Sequence, residues 1–193
     1  QRNTGFLRRT SSEMAERVRH YDEEAPLMRA YGVEATIAST LDRRVPLPSG
    51  GYLVIDDTEA MTVIDVNSGR NVGRGGTRLE DTITKTNLEA ATEVVRQLRL
   101  RDIGGIVIID FIDMDDERNR KAVKAALDQA LQRDRTRTYV VDISPLGLVE
   151  MTRQNISDGP REIMTEVCPT CAGVGVVPSD ETRAIEIERE LRD

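Results

Sequence analysis

Two short apolar runs each carry an aspartate into surroundings that offer it no evident partner, and the rest of the chain has to be arranged around that fact. Met61-Thr62-Val63-Ile64-Asp65-Val66-Asn67 and Gly105-Ile106-Val107-Ile108-Ile109-Asp110-Phe111-Ile112-Asp113 are β-branched enough to read as buried strands. An unpaired ionised carboxylate in such a place costs on the order of several kcal/mol. Each acid therefore belongs on a strand end with a partner, and two acids on neighbouring strand ends most economically share a cation. Residues two apart on a strand point the same way, so Asp65 shares a face with Asn67, and Asp110 with Ile108. If the strands are neighbours, Asp65 and Asp110 meet, and Asn67 offers an amide to orient a carboxylate, a water or a phosphate oxygen. The competing reading makes them strand-end acids that meet arginines or cap helices. Asp113, Asp115 and Asp116 read as cap and turn residues.

The flanking pattern is that of an α/β protein with a mixed sheet and helices on at least one face. Tyr52 to Ile55 and Met61 to Val66 form a hairpin across the polar Asp56-Asp57-Thr58-Glu59, after a boundary at Pro48-Ser49-Gly50-Gly51. Ser68 to Arg78 reads as a flexible loop in which Arg70, Arg74 and Arg78 alternate with glycines. Such a loop can gather backbone N–H and guanidinium groups around phosphates, or serve as a plain solvated connector. Thr86-Asn87-Leu88-Glu89 resembles a capping box, with Leu88, Ala91, Val95 and Leu98 striping a helix to Leu100 that Gly104-Gly105 stops. A second helix, capped by Asp115 or Asp116, repeats Val123, Ala126, Leu127, Ala130 and Leu131, with a Glu117–Lys121 pair on its exposed side. Two strands follow, Thr138 to Ile143 and Leu146 to Thr152. Upstream, Met14, Val18 and Tyr21 suggest a helical segment over 11–31 that breaks at Pro26, and Val33 to Leu41 suggests another. A last helix starts beyond Ser179, with Ile185, Ile187 and Leu191.

At 193 residues and 38% apolar content the chain can bury a real core, and its net charge of -7 argues against a surface that coats nucleic acid by global basicity. It does not argue against a metal-dependent nuclease, whose phosphate-facing charge is the bound cation itself. With no apolar run of membrane-spanning length and no signal-peptide pattern, a cytoplasmic protein without a membrane segment is expected. The start at Gln1 and the stop inside a charged helical pattern suggest a piece of something longer. The two cysteines, Cys168 and Cys171, sit in Cys-Pro-x-Cys-x-Gly, the turn of half a tetrathiolate zinc site, and the one histidine, His20, is remote. The same pair from a second copy would complete the site around one shared Zn²⁺. A thioredoxin-like redox pair and two inert thiols are the other readings.

The strings LPSGGYLVID, TEAMTVIDVNSGR, TNLEAATEVVRQLRLRDIGGIVIIDFIDM, DRTRTYVVDISPLGLVEMTRQ and CPTCAGVG, in that order, resemble the catalytic region of the ribonuclease E/G family of bacterial endoribonucleases. The resemblance spans about residues 45–177 nearly continuously, and residues 13–44 resemble the preceding segment of actinobacterial members. It implies an end segment of an RNase-H-like part over 1–44, a DNase-I-like catalytic subdomain over 45–155, a zinc link over 156–178 and the start of a small C-terminal domain over 179–193. It places Mg²⁺ on Asp65 and Asp110, a supporting role on Asn67, and an intersubunit Zn²⁺ on Cys168 and Cys171. The implied activity is Mg²⁺-assisted hydrolysis of single-stranded, often AU-rich RNA to 5′-phosphate and 3′-hydroxyl ends, in rRNA and tRNA processing and mRNA decay. The implied partners are the RNA, a homodimer or dimer of dimers through zinc, and degradosome proteins through regions outside this chain. The sequence departs mildly from the family: CPTCAG lacks the basic residue common between the cysteines, and VPLP stands where an aromatic is common. The family's S1-type RNA-binding domain and 5′-monophosphate pocket lie outside this stretch. That leaves two further readings: a zinc-bridged assembly fragment without catalytic competence, and a metal-dependent phosphoesterase for small substrates.

Overall fold

The computed structural model describes residues 10–69, 76–154 and 157–192, and the chain divides into two compact units, 1–42 and 43–193. The first unit holds three short helices, α1 (Ser12–Arg17), α2 (Leu27–Ala30) and α3 (Val33–Ser39). The helical segment expected over 11–31 is therefore broken early. Val18 is already extended, at φ -85° and ψ 122°, and α2 begins only after Pro26. Gly32, at φ 69°, turns the chain from α2 into α3 in a conformation that glycine adopts without a Cβ clash.

The second unit is a mixed α/β layer. Its elements are β1 (Arg44–Pro46), β2 (Tyr52–Asp57), β3 (Thr62–Asn67), α4 (Gly76–Leu100), β4 (Gly105–Asp110), α5 (Glu117–Leu131), β5 (Thr138–Val140), β6 (Leu148–Arg153), α6 (Pro160–Met164) and α7 (Asp180–Glu190). The six strands lie in the order β1-β2-β3-β4-β6-β5. Only β3 and β4 run parallel, joined across α4, because a parallel pair needs a long crossover where an antiparallel pair does not.

Alternation along the strands sorts the two faces of this sheet. Leu53, Ile55, Ile64, Val66, Val107, Ile109, Val149 and Met151 are buried against Ala90, Ala91, Val94, Val95 and Leu98 of α4 and Val123, Leu127 and Leu131 of α5. The intervening residues, among them Val54, Val63, Asp65, Ile106, Asp110, Glu150 and Thr152, are exposed or half-buried on the opposite side. The two acids thus lie on the side away from the helix-covered core.

Several local expectations shift. Helix α4 begins at Gly76, so Thr86-Asn87-Leu88-Glu89 lies in its interior and caps nothing. Its end precedes the glycine pair: Asp102 takes φ 51°, and the Ile103 N–H donates to the Leu98 carbonyl at 3.0 Å, closing the last turn. Strand β5 stops at Val140, and β6 starts at Leu148, because a turn held by Gly147 N–H to Ser144 O at 3.0 Å and by Gly147 at φ 78° occupies the interval. Asp116 caps α5, accepting from the Arg118 N–H at 2.8 Å, and Glu117 pairs with Lys121 at 2.8 Å. Ser179 caps α7, accepting from the Thr182 N–H at 3.2 Å. No described helix is long and apolar enough to cross a membrane.

Candidate active site

Asp65 and Asp110 are direct register partners across the parallel β3–β4 pair, the last register partners of that pair. Both side chains are exposed on the open face of the sheet. The Asn67 amide donates to Asp65 Oδ2 at 2.7 Å, which fixes one carboxylate and leaves Asp110 free of that constraint. Burial, reinforced by the charges of Asp65 and Asp113, pushes the Asp110 carboxyl above its usual range. Among the described residues, no lysine or arginine forms an ion pair with either acid. Neither acid caps the helix that follows β4; Asp116 does.

Among the described residues, two facing carboxylates, an amide on one of them and a raised proton affinity on the other gather with no cation between them. The donor set fits a hard divalent cation that keeps several of its own waters, since such an ion is held by only one or two protein carboxylates. Among the described residues no three His, Cys, Asp or Glu side chains gather into a fuller ligand cage.

The support behind the acids was not marked by periodicity. Asn87, fully buried in α4, donates through Nδ2 to the Ile112 carbonyl at 2.8 Å and accepts from the Ile112 N–H at 3.1 Å. One amide side chain thus satisfies both backbone groups of a residue just past Asp110, where the ladder of β4 has ended. Glu80, also on α4, accepts from Asn119 Nδ2 at 2.8 Å and from the Asp116 N–H at 3.3 Å, tying the start of α5 to the same helix. The Asn119 hydrogen bond holds the Glu80 carboxyl below its usual range. Gly51 packs so closely on Asn67 that a Cβ there would lie 2.6 Å from the Asn67 carbonyl oxygen, which gives the LPSGG turn a direct part in placing Asn67. The signal for Asn87 was in the sequence as a polar residue inside an apolar helical stripe, but its resemblance to a cap concealed it.

The arginine loop expected to gather around phosphates falls largely outside the described residues. Arg70 and Arg74 lie outside the described residues, and Arg78 falls in the first turn of α4, where its side chain is likewise outside them. Cys168 and Cys171 lie far along the chain in a tight turn, with Ala172 N–H on the Cys168 carbonyl and Val174 N–H on the Cys171 carbonyl, each at 2.9 Å. Backbone N–H groups of Cys171 and Thr170 aimed at the Cys168 sulfur lower its thiol pKa. This is a ligand-like arrangement for a thiolate, and it supplies two donors where a tetrahedral zinc needs four.

The family model described as Ribonuclease E/G family matches residues 1–156. Ribonuclease G of Salmonella typhimurium (strain SL1344) is 49% identical over 179 residues, 93% of this chain and 36% of that protein. Ribonuclease G of Escherichia coli (strain K12) is 48% identical over 179 residues, again 93% and 36%. Ribonuclease E of the same strain is 45% identical over 181 residues, 94% of this chain and 17% of that protein. The chain belongs to the ribonuclease E/G family. It spans about a third of the length of the ribonuclease G relatives and less of ribonuclease E.

Proposed function

We propose that this chain carries the metal-holding centre of an endoribonuclease that hydrolyses single-stranded, AU-rich RNA with Mg²⁺, leaving 5′-phosphate and 3′-hydroxyl ends, in rRNA and tRNA processing and mRNA decay in the cytoplasm. The observation that carries this reading is the Asp65–Asp110 register pair on an open sheet face. The chain's family membership and relatives named ribonuclease G and ribonuclease E support it. Asp65 and Asp110 would hold the Mg²⁺. When bound, such a cation supplies water activation near neutral pH and charge neutralisation at the phosphate under attack. The Asn67 amide, by donating to Asp65 Oδ2, holds that carboxylate in one orientation. Asp110, with its raised proton affinity, must give up its proton to take part, so activity falls as the pH drops toward its range. Arg70, Arg74 and Arg78 would meet phosphates of the substrate strand.

Cys168 and Cys171 would share one Zn²⁺ with the same pair of a second copy, giving a homodimer or a dimer of dimers. The N–H groups aimed at the Cys168 sulfur favour the thiolate such a site requires. Degradosome proteins would bind through regions beyond this chain.

The test is Mg²⁺-dependent cleavage of a 5′-labelled single-stranded AU-rich RNA by the parent chain, Asp65→Asn and Asp110→Asn. Cleavage by the parent that is lost in both variants is expected. A parent that cleaves equally well with either aspartate neutralised would sink the assignment. Cleavage of a small phosphodiester that single-stranded RNA does not inhibit would instead favour the small-substrate phosphoesterase.

A further inference from the structure

The open face of the sheet holds one more feature within reach of the acids. Arg44 of the edge strand β1 places its guanidinium carbon 3.5 Å from the centroid of the Tyr52 ring on β2. Tyr52 is the direct register partner of Asn67, and Arg44 pairs with Val54, which pairs with Asp65, which pairs with Asp110. Arg44, Val54, Asp65 and Asp110 therefore form one row across four adjacent strands, and Tyr52 and Asn67 lie beside it. At about 4.8 Å between neighbouring strands, Arg44 lies roughly 10 Å from Asp65 and roughly 14 Å from Asp110 along the row, within about two nucleotides' reach, and Tyr52 lies closer.

We propose that the Arg44–Tyr52 stack is a binding site for a nucleobase of the single-stranded RNA, near the phosphate that is cut. The inference rests on the nuclease reading of the Asp65–Asp110 pair. Unpaired bases are held on aromatic rings and on arginine guanidinium planes, and that mode tolerates sequence because every base has a π-face. Arg44 is exposed and β1 is the edge of the sheet, so no described strand covers the stack from outside. The neighbouring arginine is committed elsewhere: Arg43 grips Asp56 with Nε at 2.5 Å and Nη2 at 2.6 Å. Arg44 has no described carboxylate in ion-pair contact and spends its charge on the ring. On a face that also presents Asp56, Asp65, Asp110 and Glu150, it is the cation in the row of the acids, and a polyanion approaching that row meets it.

The experiment compares the full chain with Tyr52→Ala, Tyr52→Phe, Arg44→Ala and Arg44→Lys in two assays, with thermal unfolding of each variant as the check on folding. In EDTA, where RNA is bound but not turned over, a short single-stranded RNA carries 2-aminopurine at successive positions. Quenching at one position is expected with the parent and with Tyr52→Phe, and its loss with Tyr52→Ala, Arg44→Ala and Arg44→Lys. In Mg²⁺, KM is expected to rise roughly tenfold or more in the same three variants, while kcat changes by less than about twofold. A stack that merely braces the edge strand predicts a lower unfolding temperature with unchanged quenching and KM, and that result overturns the inference. A parent that cleaves RNA while all four variants match it overturns the subsite alone. A parent that neither quenches nor cleaves overturns the nuclease reading together with the subsite.

Discussion

Asp110 carries charge stress, and that stress has a sign. Its carboxyl pKa is raised in the fold by burial and by Asp65 and Asp113, so the folded state binds a proton more readily than the unfolded chain. Stability is then higher below the usual aspartate range and declines as pH rises through the raised folded value. In metal-free buffer at neutral pH, Asp110→Asn should raise the unfolding temperature while removing cleavage; added Mg²⁺ should stabilise the parent and not the variant. A variant less stable than the parent without metal would count against the like-charge pairing. Asn87 behaves oppositely. Replacing it by Leu strands both backbone groups of Ile112 and should cost roughly 2–4 kcal/mol by denaturant unfolding. The aspartates were legible because an acid in an apolar run has few physical excuses. Asn87 was not, because its partner Ile112 is distant in sequence and nothing local distinguishes a buried amide from a helix cap.

At the level of elements, the strands that flank the acids were readable by alternation, and the sheet's mixed direction followed from a hairpin and a helical crossover. The ends of elements were less so. The start of α4 at Gly76 has no polar-to-apolar transition to announce it, and α4's stop depends on Asp102 taking a left-handed conformation that the adjacent glycines seemed better suited to supply. Asp102 is held there by contacts from β6 and beyond. Arg153, almost fully buried in β6, donates to Asp102 at 3.1 Å, Asp134 at 2.9 Å, the Ile103 carbonyl at 2.8 Å and Thr136 Oγ1 at 3.1 Å, while Ser157 Oγ donates to Asp102 at 2.5 Å. Burial raises the Asp134 carboxyl, but the Arg153 hydrogen bond and charge outweigh it and hold the pKa below the usual range. The Ser157 hydrogen bond does most to hold Asp102 low as well. Both groups stabilise the fold above the ordinary aspartate range, and that contribution is lost as pH falls through their lowered folded values. Arg153→Met should flatten this acid limb of the stability–pH curve. Arg153→Ala, which leaves Asp134 buried without its partner, should cost about 3–5 kcal/mol by the same measurement.

Across the whole second unit, the stretch after β6 is held differently from the sheet. Arg161 of α6 pairs with Asp57, and the Glu162 carboxylate accepts from the Gly159 N–H at 3.0 Å, yet Ile163, Val167, Val174, Val176 and Leu191 remain largely exposed. Cys168→Ser should therefore halve the apparent mass in solution and remove bound zinc without moving the unfolding midpoint of the sheet, as sedimentation and metal analysis can show. An unchanged mass would dismiss the shared-zinc reading. The cysteine turn was legible as a turn from its Cys-Pro-x-Cys-x-Gly spacing. Its placement outside the helix-covered core was not, because an apolar composition does not say whether a segment packs within its own chain.

The parallel pairing of β3 with β4 also sets when the carboxylates first meet. A hairpin such as β2–β3 closes on microseconds, but β3 can align with β4 only after the intervening chain has coiled into α4 and folded back. Until then Asp65 and Asp110 are two unrelated acids on an unfinished chain. A nascent or partly unfolded molecule thus lacks the carboxylate pair on which the proposed metal would sit, and metal capture would report the moment at which β3 and β4 pair.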